Sequence, residues 1–240
     1  MLPTVVLLGL LPATPRTFTD PIHKTITLHP LCVAIADTPE FQRLRGVGQL
    51  GLARHVFPGA VHDRFQHALG VSHLAYEWAR HFQKLQPELK IDERDVLCVS
   101  LAGLLHDLGH GPFSHFWEHV PWSTSSGSSA AQHVKHEDIS CAMIERLLER
   151  NSIDTAPWLA DGDIKFVQAL IRGSPPSHES CSSSSSSSVY RTGQAGVLGE
   201  DKRFLYDIVA NQRNGFDVDK LDYFERDSHF AGVVKVSFDR

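Results

Sequence analysis

The chain has 240 residues, of which 42% are hydrophobic and 21% are charged, a composition typical of a globular domain with one sizeable core. Its formal net charge of -5 argues against a broadly basic surface for nucleic acids, although a local basic patch stays open. The four cysteines are widely spaced and form no C-x-x-C pair, which fits a reducing compartment and argues against a zinc ribbon or a disulfide framework. No apolar run approaches the roughly 20 residues of a membrane span, so we expect no membrane partner.

The first 15 residues show no periodicity that continues into the rest of the chain, and Pro12 and Pro15 interrupt them. Their apolar run, Val5–Leu11, has the character of a signal-peptide core, but nothing basic precedes it. We therefore predict a disordered segment over residues 1–15 that stands outside the family fold, and one domain over residues 16–240.

From Thr38 onward, apolar residues recur at helical spacing between punctuated loops. Thr38-Pro39 has the form of an N-cap followed by proline in the first turn, and the acidic run Asp92–Asp95 has the form of a second cap. No convincing alternating strand is present, so the sequence predicts an all-α fold with loop insertions. The predicted helices begin at Thr38 and Asp92 or cover residues 63–85, 136–150, 163–171, 204–210 and 217–227.

Two serine-rich stretches interrupt the helical pattern. One spans residues 123–129, and the other, residues 174–188, contains seven consecutive serines. Such low-complexity sequence cannot bury enough apolar surface to offset the entropy of ordering it. We predict a flexible loop over residues 174–200.

The dipeptide His106-Asp107 lies where the most apolar predicted helix, which contains Val96–Leu105, comes to its end. A His-Asp pair alone is uninformative, since His62-Asp63 is another one. At residue 106, however, a buried helix would deliver an imidazole and a carboxylate to its own end, where glycines let a ligand approach closely. Imidazole and carboxylate together suit Fe, Mn or Zn, so this position predicts a metal site.

An octahedral metal site needs more than two protein ligands, and the chain offers further candidates. His110 and His115 follow the pair within one short string. His67 shares a face of the predicted helix 63–85 with Arg64, because residues three apart are neighbours on a helix.

The last predicted helix carries another polar stripe. Asp219, Tyr223 and Asp227 are each four residues apart, and Lys220 lies beside them. A carboxylate, a phenol and a cation on one face suit both a metal ion and phosphate oxygens. The alternative is that Asp219, Asp222 and Asp227 form weak surface salt bridges with Lys220 and Arg226.

Several such motifs follow one another in a fixed order along the chain. They are Asp20-Pro21-Ile22-His23, Asp37-Thr38-Pro39, Phe41–Arg45, Arg64–His67, His106–His115 and Arg213–Lys220. Their combination resembles the HD-domain deoxynucleoside triphosphate triphosphohydrolases, in particular the vertebrate members that join a sterile alpha motif to an HD domain. The resemblance runs from about residue 16 to residue 227, and it is interrupted near residues 117–133 and by the serine tract.

The resemblance implies hydrolysis of dNTPs to deoxynucleoside and inorganic triphosphate, which would control dNTP pools. It implies one divalent transition metal, Zn, Fe or Mn, and Mg with the nucleotide. The implied metal ligands are His67, His106, Asp107 and Asp219, and the implied catalytic histidines are His110, His115 and His136. The implied substrate contacts are Gln49, Leu50, Val56, Arg64, Lys220, Tyr223 and Asp227.

The resemblance also implies a regulatory site for GTP or dGTP between subunits of a homo-oligomer. Its residues would be Arg16, Thr17, Asp37, Gln42 and Arg45. Arg16 stands where the family has a lysine, which keeps the charge but not the geometry. The family further implies a nuclear location, with the cytoplasm as an alternative, and an ability to bind single-stranded nucleic acid.

We expect the resemblance to be partial. The expectation is that no sterile alpha motif precedes Arg16 and that the C-terminal lobe of the family is missing after Asp227, and the serine-rich inserts do not align. We therefore expect this chain to bind metal but to turn over dNTPs poorly. One alternative is a non-catalytic remnant that binds nucleotide or single-stranded nucleic acid, and a weaker one is a generic HD phosphodiesterase or nucleotidase.

Overall fold

The computed structural model describes residues 14–119, 135–174, 200–234 and 236–238. The predicted disordered segment 1–15, the serine-rich insert 123–129 and the predicted loop 174–200 lie wholly or almost wholly outside the described residues. The helices are α1 (Pro30–Ala36), α2 (Pro39–Gln42), α3 (Arg64–Leu85), α4 (Glu93–Leu105), α5 (His115–His119), α6 (His136–Arg150), α7 (Asp163–Arg172), α8 (Tyr206–Val209) and α9 (Val218–Ala231). Short 3-10 turns cover Arg43–Gly46, Gly51–His55, Pro87–Leu89 and Glu200–Leu205. The all-α class is confirmed, and within the described part of the chain no helix is long and apolar enough to cross a bilayer.

One antiparallel hairpin accompanies the helices, formed by β1 (Arg16–Asp20) and β2 (Lys24–Leu28). The expectation that this part of the chain contains no strand is therefore wrong. The signal is the alternation in β2, where Ile26 and Leu28 are buried and their neighbours are exposed. It escapes a search by periodicity because each strand is only five residues long.

Side-chain caps fix where the main helices begin. Thr38 Oγ1 accepts a hydrogen bond from the amide of Phe41 at 3.3 Å, and Asp63 accepts one from Gln66 at 2.9 Å. Asp92 forms a full capping box at the start of α4. The starts predicted at residues 38, 63 and 92 are thus confirmed, whereas α1 and α5 were not predicted.

Helices α3 and α4 form the centre of the core because small residues let their backbones approach. A Cβ atom on Gly103 would lie 2.9 Å from the carbonyl oxygen of Val71. Next to this point the hydroxyls of Ser72 and Ser100 lie 3.0 Å apart. Eleven residues of α4 are buried, as its apolar sequence predicts. This close packing brings the first turns of α3 beside the C-terminal end of α4.

Helix α9 packs against the other side of α3 through a second glycine. A Cβ atom on Gly70 would lie 1.9 Å from Oδ1 of Asp222. The beginning of α9 is set by Asp217, which accepts a hydrogen bond from the amide of Lys220 at 3.1 Å. Polar residues from α3, α4 and α9 therefore meet at one place although they are far apart in sequence.

Candidate metal centre

His106 and Asp107 lie directly after α4, and both are buried. The Nδ1 atom of His106 lies 2.8 Å from the carbonyl oxygen of Gly103, so it donates its proton there and Nε2 is left as the ligand atom. This fixes both the tautomer and the direction of the imidazole. His106 and Asp107 are buried because the apolar helix α4 ends inside the protein, so the polar residues that follow it remain in the interior.

His67, in the first turn of α3, and Asp219, in the first turn of α9, face the same pair. Nε2 of His67 lies 2.9 Å from Oδ1 of Asp219 and 3.5 Å from Oδ2 of Asp107. Nε2 of His106 lies 3.4 Å from Oδ1 of Asp107 and 3.4 Å from Oδ1 of Asp219. The structure therefore brings all four predicted ligands together.

These four groups fit a divalent metal ion. Ligand atoms about 2.1 Å from one ion lie about 3.0 Å apart at octahedral angles and about 3.4 Å apart at tetrahedral angles. The spacings of 2.9 to 3.5 Å found here match both figures. In addition, Nε2 of His106 is buried and has no hydrogen-bond partner. Two imidazoles and two carboxylates thus form a site that can hold a divalent metal.

The electrostatics of this cluster point the same way. Burial lowers the pKa of His67, but the carboxylates of Asp219 and Asp222 outweigh it and raise this pKa to about 10. Burial raises the pKa of Asp219, yet the neighbouring imidazoles of His106 and His67 hold it well below the ordinary value. A proton on His67 therefore partly compensates the buried carboxylates, and a divalent cation that replaced it at Nε2 would compensate them with two positive charges instead of one.

Asp222 belongs to the same buried network, although the sequence does not predict it as a site residue. Its Oδ2 accepts a hydrogen bond from Nδ1 of His67 at 2.7 Å, and Oδ1 lies 2.5 Å from Nε2 of His23. Arg226 donates to the same carboxylate at 2.8 and 2.9 Å. The alternative interpretation of Asp222 and Arg226 as a surface salt bridge is wrong, because both side chains are fully buried. Their i, i+4 spacing was the available signal, and only the packing of α9 on α3 shows where the pair points.

The same network reaches the β-hairpin. Arg226 donates to Oδ2 of Asp20 at 2.8 Å, and Asp20 also accepts the amides of Ile22 and His23 at 2.9 Å each. The turn of the hairpin is therefore held by the carboxylate that binds α9. Through Asp222, the hairpin is connected to His67.

The three predicted catalytic histidines also come together, and a glutamate that was not predicted joins them. Nδ1 of His136 lies 2.9 Å from Oε1 of Glu118, and the rings of His110 and His136 stack with centroids 4.0 Å apart. His115 meets both rings edge to face. Burial lowers the pKa of His110 to about 4. Glu118 is three residues after His115 on α5, a spacing that could have indicated it.

Four predicted substrate contacts lie on the chain before or at the start of α3. Gln49 is buried and its Oε1 has no hydrogen-bond partner. Leu50 is half-buried and Val56 is exposed, at the two ends of the turn Gly51–His55. Arg64 is buried, and its guanidinium binds the carboxylate of Asp107, next to the metal ligands.

The remaining three predicted contacts lie on α9. The Tyr223 ring is 6.4 Å from that of His67, so it borders the metal centre. Nζ of Lys220 is 3.7 Å from Asp217, and Asp227 binds Nε2 of His62 at 2.6 Å. The other His-Asp pair of the sequence thus has structural contacts, since His62 binds α9 and its neighbour caps α3.

The predicted regulatory residues form hydrogen-bonded pairs on the surface. Arg16 donates two hydrogen bonds to Asp37, at 2.6 and 2.8 Å, and both side chains are almost half exposed. Arg45 donates to Oε1 of Gln42 at 2.8 Å, and the Gln42 amide donates to a backbone carbonyl in the last turn of α1. The hydroxyl of Thr17 lies 3.3 Å from that of its cross-strand neighbour. These polar groups are accessible to a ligand.

The sequence matches the HD domain family over residues 64–183, a span that includes three of the four metal-centre residues and the three histidines. It is 47% identical to the Xenopus laevis protein named deoxynucleoside triphosphate triphosphohydrolase SAMHD1 over 234 residues, and 45% identical to the Bos taurus protein of that name over 241 residues. It is 31% identical to a putative HD domain-containing protein of Acanthamoeba polyphaga mimivirus over 219 residues. These alignments cover 92%, 97% and 86% of this chain.

The same alignments cover 35%, 38% and 41% of the three relatives, so the chain spans a little more than a third of the length of the proteins it matches. The matched span contains the His-Asp pair that ends α4, and α9 adds the second carboxylate from outside that span. The match covers half of the chain and coincides with the metal centre. This chain is a member of the HD domain family.

Proposed function

We propose that the chain carries a metal-dependent activity that hydrolyses dNTPs, including dGTP, to deoxynucleoside and inorganic triphosphate, and that it thereby controls dNTP pools. The observation that carries this proposal is the metal centre with three histidines beside it, in a chain about 45% identical to proteins named dNTP triphosphohydrolases. The ligands would be His67, His106, Asp107 and Asp219. A divalent ion bound there would activate a water molecule and polarise a phosphoryl oxygen.

The histidines are arranged to move a proton. Glu118 binds Nδ1 of His136, which leaves Nε2 of that ring 3.9 Å from Oδ1 of Asp107. His136 therefore presents one ring nitrogen to the metal centre while the other is held. We propose that His136 protonates the leaving nucleoside oxygen, and that His110 and His115 bind phosphate oxygens beside it.

Positive and polar groups around the centre suit the rest of the nucleotide. Arg64 places a buried guanidinium next to Asp107, and Lys220 has a partly exposed ammonium at the start of α9. We propose that both bind the triphosphate, with Mg as its counter-ion. The unpaired Oε1 of Gln49 can accept a hydrogen bond from a sugar hydroxyl, and Leu50, Val56, Tyr223 and Asp227 complete the proposed contacts.

The types of ligand indicate a class of metal ions and not one particular metal. Imidazole and carboxylate ligands suit Zn, Fe or Mn, and we propose one of these as the resident ion. We also propose that GTP or dGTP binds at Arg16, Thr17, Asp37, Gln42 and Arg45 and activates a homo-oligomer located in the nucleus. An aspartate and an arginine on one surface offer the acceptor and donor that a guanine edge requires.

The direct test incubates the purified chain with dGTP, GTP and Mn or Mg and measures triphosphate release, which we expect to be slow. Release that is lost in Asp219→Asn but kept in Asp161→Asn, an exposed aspartate, would support the proposal. Orthophosphate release from dGMP without triphosphate release from dGTP would favour an HD nucleotidase instead. Binding of dGTP or single-stranded nucleic acid without turnover would favour a binding function.

A further inference from the structure

A second group of metal-binding side chains lies beside the metal centre. We call it the histidine cluster, and it consists of His110, His115, Glu118 and His136. Oε1 of Glu118 lies 2.9 Å from Nδ1 of His136, 3.3 Å from Nδ1 of His115 and 3.5 Å from Nδ1 of His110. Each of the four residues offers one ligand atom, and all these atoms lie within 4.8 Å of one another. Three imidazole nitrogens therefore face one carboxylate oxygen.

His110 is the member of the cluster whose ring lacks hydrogen bonds. The His110 side chain is fully buried, and neither of its ring nitrogens has a hydrogen-bond partner. Its Nδ1 nevertheless faces Glu118 and the same space that the other two imidazoles face. A buried polar atom without a partner needs an explanation, and a bound ion is one.

We propose that the histidine cluster is a second metal site, which binds one zinc-class ion through the three Nδ1 atoms and Glu118. Three nitrogens and one oxygen are a set that zinc prefers, in four-coordinate geometry. Two of the three distances from Glu118, 3.3 Å to His115 and 3.5 Å to His110, match the ligand spacing of about 3.4 Å expected for tetrahedral zinc, and the distance of 2.9 Å to His136 is shorter. His115 provides the way in, since its side chain is 63% exposed.

The second site has consequences for the first. The other ring nitrogens, Nε2 of His110 and Nε2 of His136, lie 3.3 and 3.9 Å from Oδ1 of Asp107. The two ions would thus be neighbours that repel each other, so the second binds more weakly than the first. An ion on Nδ1 of His136 would keep that ring from carrying a second proton, which the proposed proton transfer through Nε2 requires. Free zinc should therefore inhibit the proposed hydrolysis, although zinc binding itself does not depend on that activity.

The experiment counts zinc on the metal-stripped chain by equilibrium dialysis. We expect two ions per chain, with the second lost in His115→Ala and in Glu118→Gln. His115 is exposed and Gln has nearly the shape of Glu, so neither change leaves a cavity in the core. The matched control is His81→Ala, an exposed histidine four turns further along α3 from the metal centre, which should keep both ions.

A second readout separates the two sites. Cobalt in the histidine cluster should contribute an intense visible d–d band from a four-coordinate ion, and this contribution should be lost in His115→Ala. In Asp219→Asn the first ion should be lost and the cobalt band retained, so failure of the proposed metal centre and failure of the second site are distinguishable. One zinc per wild-type chain, or two in both cluster variants, would overturn the proposal.

Discussion

His67 depends on one buried carboxylate for its orientation. Nδ1 of its imidazole is bound to Asp222, and Nε2 is turned toward Asp107 and Asp219. A carboxylate behind a metal-binding histidine fixes the ring and raises its basicity as a ligand. Asp222 also binds His23. The carboxylate that orients His67 therefore also holds the N-terminal hairpin.

Asp222→Asn should therefore weaken metal binding without touching the metal directly. We expect a loss of affinity of about 10- to 100-fold, because an amide cannot hold the imidazole as a carboxylate does. The measurement is a metal titration of the folded protein, with circular dichroism to confirm folding and Asp161→Asn as the control. Unchanged affinity in a folded Asp222→Asn protein would show that His67 is oriented by other contacts.

At the level of elements, the approach of α9 to α3 at Gly70 leaves no space for a side chain. A methyl group there would collide with the carboxylate of Asp222 and with the guanidinium of Arg226, at 1.9 and 2.5 Å. The position of Asp219 over the other ligands is a consequence of this contact. The glycine is therefore needed for space, in a helix where alanine would otherwise be the better residue.

Gly70→Ala should consequently destabilise the protein, by about 1–3 kcal/mol if the overpacked helices shift apart. Gly46→Ala is the matched control, since a methyl group there meets nothing within 4 Å. Urea unfolding of both variants measures the difference in free energy. Equal stability of the two variants would mean that α9 does not pack against α3 as described.

The start of α1 should make stability depend on pH. Nδ1 of His29 accepts the amide of Leu31 at 3.2 Å, and burial lowers the pKa of His29 from its usual 6.5. The folded state thus favours the neutral ring. The contribution of this cap to the free energy of unfolding is complete above pH 6.5, and it is lost as the pH falls from 6.5 through the lowered pKa of His29.

His29→Asp keeps an N-cap acceptor that stays ionised at these pH values. We therefore expect wild type to lose about 1 kcal/mol relative to His29→Asp between pH 7 and pH 5, the usual contribution of an N-cap. Urea unfolding at a series of pH values checks this, and the comparison of the two proteins cancels the titration of the other histidines. Parallel pH curves would contradict it.

At the scale of the whole molecule, the metal centre joins three helices that are distant in sequence. His67 comes from α3, His106 and Asp107 follow α4, and Asp219 comes from α9. An ion that binds only when these helices are packed must stabilise the folded state, by about 2.7 kcal/mol at a free concentration 100 times its Kd. It also offsets the repulsion between the carboxylates.

Removal of metal should therefore lower the melting temperature of the whole domain. Differential scanning calorimetry with chelator and with added Zn or Mn measures the shift, which should shrink strongly in Asp219→Asn. Glu118→Gln should retain the shift in melting temperature that is caused by the ion in the metal centre. A shift of equal size in wild type and Asp219→Asn would place the stabilising ion elsewhere.

The sequence by itself determined the helical class and the starts of the main helices, because caps such as Thr38, Asp63 and Asp92 act within one turn of themselves. It also provided the four candidate ligands, through the family resemblance and the polar residues at the end of an apolar helix. Short elements were less accessible to it, and β1, β2, α1 and α5 were missed because their stability comes from packing rather than from a long periodic pattern.

Only the tertiary structure decided which polar groups meet. Asp222 and Arg226 have the spacing of an ordinary surface pair, and their complete burial follows from the glycine that admits α9 against α3. Glu118 contacts His136, which belongs to another helix, and both meet His110 from the loop after α4. Contacts between residues distant in sequence depend on how whole elements pack, and no local pattern encodes the distances that make them a site.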